Sequence, residues 1–165
     1  MSIVDRLERL GIEWAEARPA NHRGLETFFK LRCAIAWGGV SPPRDCSPPV
    51  DLAKLWSAAS GARLFVDDDY GQWGLVLFSP AEAVSATGRF QVVRPEEFRH
   101  GDLIVGEFIG DSDVLLVRCD PLEPDYGAVL IPTPLEGRPG WTNAAASLDE
   151  FLGAFERTHG DKFWE

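Results

Sequence analysis

The sequence predicts a single α+β domain: a mostly antiparallel or mixed twisted sheet with helices packed over it, helices at the N-terminus and one closing helix at the C-terminus. Three observations lead there. Helical spacing dominates the first third of the chain, short strand-like runs fill the middle, and a well-capped amphipathic helix ends it. Blocks of helix followed by blocks of strand favour α+β over an alternating α/β arrangement. With 165 residues, 45% of them hydrophobic and 25% charged, one core can bury roughly 70% of the surface of the unfolded chain. Residues 1–165 are therefore read as one domain that needs no disulfide or metal to hold it.

Ser2 can cap a first helix, because Ile3, Leu7, Leu10 and Trp14 fall on one helical face. Gly11 weakens or ends it. A second helix is expected over Asn21–Leu31, with Leu25, Phe28 and Phe29 inward. WGGVSPPRDCSPP, Trp37 to Pro49, carries four prolines and two glycines. Such a stretch cannot continue a helix or a central strand and is read as an ordered surface loop. The third helix has Pro49 near its start, Leu52, Leu55 and Trp56 on one face and Gly61 as its stop. Trp14 and Trp56 are assigned to the core.

The period then changes. RLFVDD and WGLVLF are read as strands joined through DDYGQ, FQVV (Phe90–Val93) as a short strand, LIVGEF and VLLVRCD as strands joined by IGDSD, and AVLIPTP as a further strand. Both alternate faces of VLLVRC are apolar, which predicts a strand covered on both sides. In the last helix Ser147 and Glu150 form a capping box, Leu148, Phe151, Leu152 and Phe155 make the apolar face, and Gly160 is the stop.

The net charge of −10 is unevenly placed. Residues 1–50 hold seven Lys/Arg and six Asp/Glu, whereas residues 51–165 hold nine and twenty. Between Asp102 and Asp125 seven acids face only Arg118. This disfavours direct nucleic-acid binding, which needs a cationic face. It suits a basic protein partner steered by complementary potential, and it also suits plain solubility. Three widely spaced cysteines, an odd number, point to a reducing compartment. Asp5, Arg6, Glu8 and Arg9 occupy the place of a signal-peptide core, and no apolar run approaches the roughly 20 residues that span a bilayer. A cytoplasmic protein without membrane association is expected; oligomeric state is not legible.

Four places in the sequence could carry chemistry. DDDYG, Asp67–Gly71, departs from a calcium loop because Gly71 falls at the fifth position and no glutamate follows where one is needed. If the turns at Asp67–Asp69 and Asp111–Asp113 share one end of the sheet, their carboxylates cluster, either as a weak cation site or, preferred here, as a solvated or partner-facing rim. Cys119 ends an apolar strand beside acids and is read as a small buried residue, and neither Cys33 nor Cys46 has a histidine near in sequence. Glu107 and Asp113 flank one turn without an evident desolvating pocket. No enzyme motif, metal or cofactor is therefore assigned. Trp73, just after the acidic turn, and Trp37 read either as exposed anchors or as rings packed beneath loops.

SPPVDLAKLWSAASGARLF, DDDYGQWGLVLFSP, GDLIVGEFIGDSDVLLVRCD and GWTNAAASLDEFLGAFERTHGDKFWE, in that order, together resemble the SUKH superfamily, the Syd and Knr-like homology group of small α+β domains. The resemblance covers residues 47–165; residues 1–46 match loosely, as extra N-terminal helices and a loop. It implies a binding role: bacterial members are mostly regarded as immunity proteins that neutralise a cognate toxin, often a nuclease or deaminase, and others regulate protein complexes. It carries no catalytic residues over. The expected contact surface, chosen from the residues themselves, is Asp67, Asp68, Asp69, Glu107, Asp111, Asp113 and Asp125, with Tyr70 and Trp73 as aromatic anchors. The alternatives are a regulatory or scaffold domain and, less favoured, a small metal-dependent hydrolase.

Overall fold

The computed structural model describes all residues, Met1–Glu165, and it is α+β. Four helices, α1 (Ile3–Glu13), α2 (Val50–Ala58), α3 (Pro80–Val93) and α4 (Leu148–Arg157), accompany eight strands. These are β1 (Arg18–His22), β2 (Leu25–Trp37), β3 (Ala59–Val66), β4 (Leu75–Leu77), β5 (Asp102–Phe108), β6 (Val114–Arg118), β7 (Val129–Ile131) and β8 (Thr142–Ala145). The strands lie in one sheet in chain order, every neighbouring pair antiparallel. Neighbours in the sheet are therefore neighbours in the chain, joined by turns except where α2 lies between β2 and β3, α3 between β4 and β5, and longer loops between β6, β7 and β8. No helix is long and apolar enough to cross a membrane.

The first helix forms as its spacing dictates. Ser2 Oγ accepts from the Asp5 amide while the Asp5 carboxylate accepts from the Ser2 amide, a reciprocal cap on two otherwise orphaned donors. Its buried face is Ile3, Leu7 and Leu10, each side chain contributing about 1.5–3 kcal/mol when withdrawn from water. The helix packs against α2, α4 and β2, and Trp14 at its end meets Phe65 edge-on with ring centroids 4.9 Å apart. In α2, Leu52, Leu55 and Trp56 are the buried face, and the Trp56 indole N–H donates to the Phe78 carbonyl at 3.0 Å.

Four sequence expectations are corrected. Asn21–Leu31 is not a helix but the β1–β2 hairpin, paired His22↔Leu25. Arg23 and Gly24 turn it with φ of 54° and 85°, the left-handed pair that a two-residue hairpin requires. Residues 1–46 therefore hold one helix and a hairpin, not several helices. Phe90–Val93 is not a strand but the last turn of α3, which Ser79 starts by accepting from the Glu82 amide with Pro80 in the first turn. Gly61 does not stop α2, which ends at Ala58; it lies within β3.

The closing helix is capped by Ser147 Oγ accepting from the Glu150 amide. Phe155 packs on Phe65 at 5.5 Å, and Phe151 meets both Phe163 and Trp164 of the C-terminal tail. Gly160 turns the chain out of this helix at φ 81°, and a Cβ there would sit 2.4 Å from the Phe65 Cβ, so no larger residue fits. The tail then crosses the end of the sheet.

Candidate functional site

Sheet register brings three turns to one end. Arg32 pairs with Val66, so the β1–β2 hairpin projects beside the β3–β4 turn. Leu75 pairs with Phe108, and the Ile109 amide donates to the Gly74 carbonyl at 2.8 Å, so the β5–β6 turn lies next along. The C-terminal tail fastens them. Arg23 reaches the Asp161 carboxylate at 2.9 Å and the Lys162 carbonyl at 3.1 Å. Trp73 donates to the Gly160 carbonyl at 2.9 Å, and Lys162 pairs with Asp111 while its ammonium lies 5.6 Å from the centre of the Trp73 ring.

The expected acidic rim is thereby sorted residue by residue. Asp67 is a correction: it is 2% exposed, and its carboxylate accepts from the Asp69 and Tyr70 amides at 3.0 Å each and from Gln72 at 3.4 Å. It shapes the turn from inside and has no oxygen to offer a partner. Asp125 is a second correction, because Arg118 binds it at 3.0 Å near the start of β5, away from the other acids. Asp68 is exposed but shares Arg32. Asp111 is exposed and accepts from the Asp113 amide at 2.9 Å. Asp113 is half-buried, and burial followed by repulsion from Asp111 raises its carboxyl above the usual aspartate value. Asp69 and Glu107 are exposed. No three His, Cys, Asp or Glu side chains converge as a metal would require.

The aromatic part of this end is larger than the sequence suggested. Tyr70 is 62% exposed, as an anchor needs, whereas Trp73 is half-buried, stacked at a tilt on Phe29 at 5.8 Å and on His22 at 5.3 Å. Phe28, expected inward, is 87% exposed and Leu25 75%. Along β2, Thr27, Phe29 and Leu31 turn inward while Glu26, Phe28 and Lys30 face solvent, the period-two alternation of a strand. Phe28 meets Phe29 edge-on at 5.1 Å and Tyr70 at 6.1 Å. The continuous row Trp73–Phe29–Phe28–Tyr70 thus runs from the half-buried to the solvent-exposed, with Asp68 and Asp69 directly ahead of Tyr70 in the chain and Glu26 and Lys30 on the same outer face of β2 as Phe28. Phe28 was missed because Leu25, Phe28 and Phe29 also fit helical spacing; the Arg-Gly turn ahead of an alternating run was the available signal.

The opposite end differs. Asp102 and Arg118 are cross-strand partners at the other end of β5 and β6, both buried and 2.8 Å apart. Arg138 adds two further bonds to the Asp102 carboxylate, at 2.6 and 3.0 Å. Burial works against the charge of Arg118, yet its hydrogen bond to Asp125 and the Asp102 charge keep its pKa raised. Beside this network opens a cleft of about 590 Å³ between α3 and the loop ahead of α2, with Thr87, His100, Leu103, Cys46 and Cys119 among its walls. Cys119 is buried and its pKa is raised, first by its contact with Cys46 and then by burial. Cys46 has no histidine near it in sequence, but the fold puts His100 on the same cleft. Cys33 is separate, accepting from the Phe65 amide and pushed up to about 12 by burial.

No protein-family model, no curated protein and no solved structure matches this chain.

Proposed function

We propose that this chain is a protein-binding module that takes a basic protein partner on the acidic, aromatic end of its sheet, and that its role is to neutralise a toxin domain such as a nuclease or deaminase, as SUKH-type immunity proteins do. The observation that carries the binding reading is Phe28, almost fully exposed and edge-on to an exposed Tyr70, next to Asp68 and Asp69. A pair of aromatic rings held in solvent beside carboxylates has the composition of a binding hot spot with a charged rim. The net charge of −10 steers a cationic partner toward the chain, and the rings then slow its departure. The toxin reading rests on the resemblance, and a regulatory or scaffold role would use the same surface.

The test is affinity capture of the tagged chain from its native cells at low and high salt, with wild type beside Phe28→Ala/Tyr70→Ala. A stoichiometric basic protein held by wild type, reduced at high salt and lost from the double variant, is the expected result, and its activity distinguishes toxin from regulatory partner. A partner retained equally by both forms would place the interface elsewhere.

A further inference from the structure

Cys46 and Cys119 lie in different parts of the chain, one in the Pro-rich loop and the other just after β6, yet the fold brings both to the wall of the same cleft. Their surroundings are unequal. Cys119 is buried, with its thiol 3.6 Å from the Val117 carbonyl. Cys46 is half-exposed, and the neighbouring Cys119 thiol lowers its pKa. Few bonds hold the loop that carries it: the Cys46 amide donates to the Pro43 carbonyl at 3.2 Å, and Tyr126 Oη donates to the Ser47 carbonyl at 3.0 Å. Both thiols are free. One accessible thiol backed by a second, shielded one is the arrangement that separates an attacking cysteine from a resolving cysteine.

We propose that Cys46 and Cys119 form a redox modification site whose substrate is a hydroperoxide. The Cys46 thiolate attacks the nearer peroxide oxygen: an S–O bond forms, the O–O bond breaks, and the departing oxygen takes a proton and leaves as water or alcohol. The sulfur of Cys119 then attacks the resulting sulfenic acid. The S–O bond breaks, the S–S bond forms, and the hydroxide released takes the Cys119 proton to give water. Two thiols lose two electrons and the peroxide gains them. The disulfide ties the Pro-rich loop to the end of β6 across the cleft, and a small dithiol reductant reverses it. Cys33 takes no part, because its thiol is buried against the Phe65 amide on another part of the sheet.

The full-length chain is treated with hydrogen peroxide, denatured, alkylated with N-ethylmaleimide and mapped by mass spectrometry without reduction. The expected product is a monomer lighter by two hydrogens, with a linked Cys46–Cys119 peptide and alkylation only at Cys33. Cys119→Ser leaves Cys46 as a sulfenic acid that dimedone traps, and Cys46→Ser slows oxidation of Cys119 by roughly tenfold or more. Three alkylated cysteines after peroxide, an intermolecular link, or a link through Cys33 would overturn the proposal. The wild-type map decides between these outcomes even if a variant at the buried Cys119 does not fold.

Discussion

Where β5 begins, Asp102, Arg118 and Arg138 are drawn out of water and bind one another; where it finishes, Asp69, Tyr70 and Phe28 stand in solvent. Both ends are rich in carboxylates and arginines, so composition alone does not separate them. The difference is what each carboxylate accepts from. Asp102 takes bonds from two guanidinium groups and the Arg99 amide, 2.8 Å away, and Asp67 takes backbone amides, so these two hold the fold. Asp69 accepts from neither source in the fold and is free to meet something else.

The sharpest way to break this contrast is to cut one carboxylate at each end. Asp102→Ala leaves Arg118 buried without its nearest partner, a change that costs about 3–5 kcal/mol. Asp69→Ala alters an exposed turn position and should stay within about 0.5 kcal/mol. Urea unfolding of the two variants measures both. If Asp102→Ala proves as mild as Asp69→Ala, the buried network does not hold that end of the fold.

A second comparison separates binding from stability. Phe28→Ala removes a ring that touches Phe29 and Tyr70 but is otherwise in water, so unfolding should change by no more than about 0.5 kcal/mol. Affinity for the captured partner should fall by about 2 kcal/mol, roughly thirtyfold, if Phe28 is a hot spot. Calorimetry with the purified partner checks the second figure. A loss of stability matching the loss of affinity would mean that Phe28 belongs to the core.

The contrast between the two ends was only half legible in the sequence. The capped helices α1 and α4 follow from Ser2 with Asp5 and from Ser147 with Glu150, because capping and helical spacing are local. The acidic hairpins were legible for the same reason. Phe28 was not, since i, i+3, i+4 spacing outweighed the two-residue turn at Arg23 and Gly24. Ser79-Pro80-Ala81-Glu82 was an available helix start, overlooked because Val92 and Val93 look like strand residues. Asp102 facing Arg118, and Cys46 beside Cys119, depend on the register of β5 with β6 and on where a loop folds back. Neither property is local, and no spacing rule supplies it.

Acid should loosen the acidic end through His159. This residue sits at φ 51°, and its Nδ1 accepts from the Asn21 amide at 3.2 Å, which ties the tail to β1. That bond requires a neutral ring. Burial, then the charges of Arg18 and His22, lowers its pKa below the ordinary 6.5. A base with a depressed folded pKa contributes stability that is fully present above its unfolded value and is lost as pH falls through the folded one. Unfolding midpoints should therefore drop below pH about 6.5 in wild type. His159→Asn, which tolerates the left-handed backbone and keeps an acceptor, should flatten that part of the profile; an unchanged slope would assign it to other groups.

The smallest expected effect tests whether the acidic end sacrifices stability for recognition. Asp113 has its pKa raised by burial and by Asp111, with Lys162 only partly offsetting them. An acid whose folded pKa is raised favours folding when protonated, and that contribution is lost as pH rises through the folded value, so at neutral pH its charge is a cost. Asp113→Asn should accordingly raise stability by a few tenths, about 0.3 kcal/mol, at pH 7. The gain should vanish on acidification below the ordinary aspartate value of 3.8. The same variant should bind a cationic partner more weakly and with a shallower salt dependence. Greater stability with undiminished affinity would remove Asp113 from the contact surface and leave the exposed aromatic pair and Asp69 as its centre.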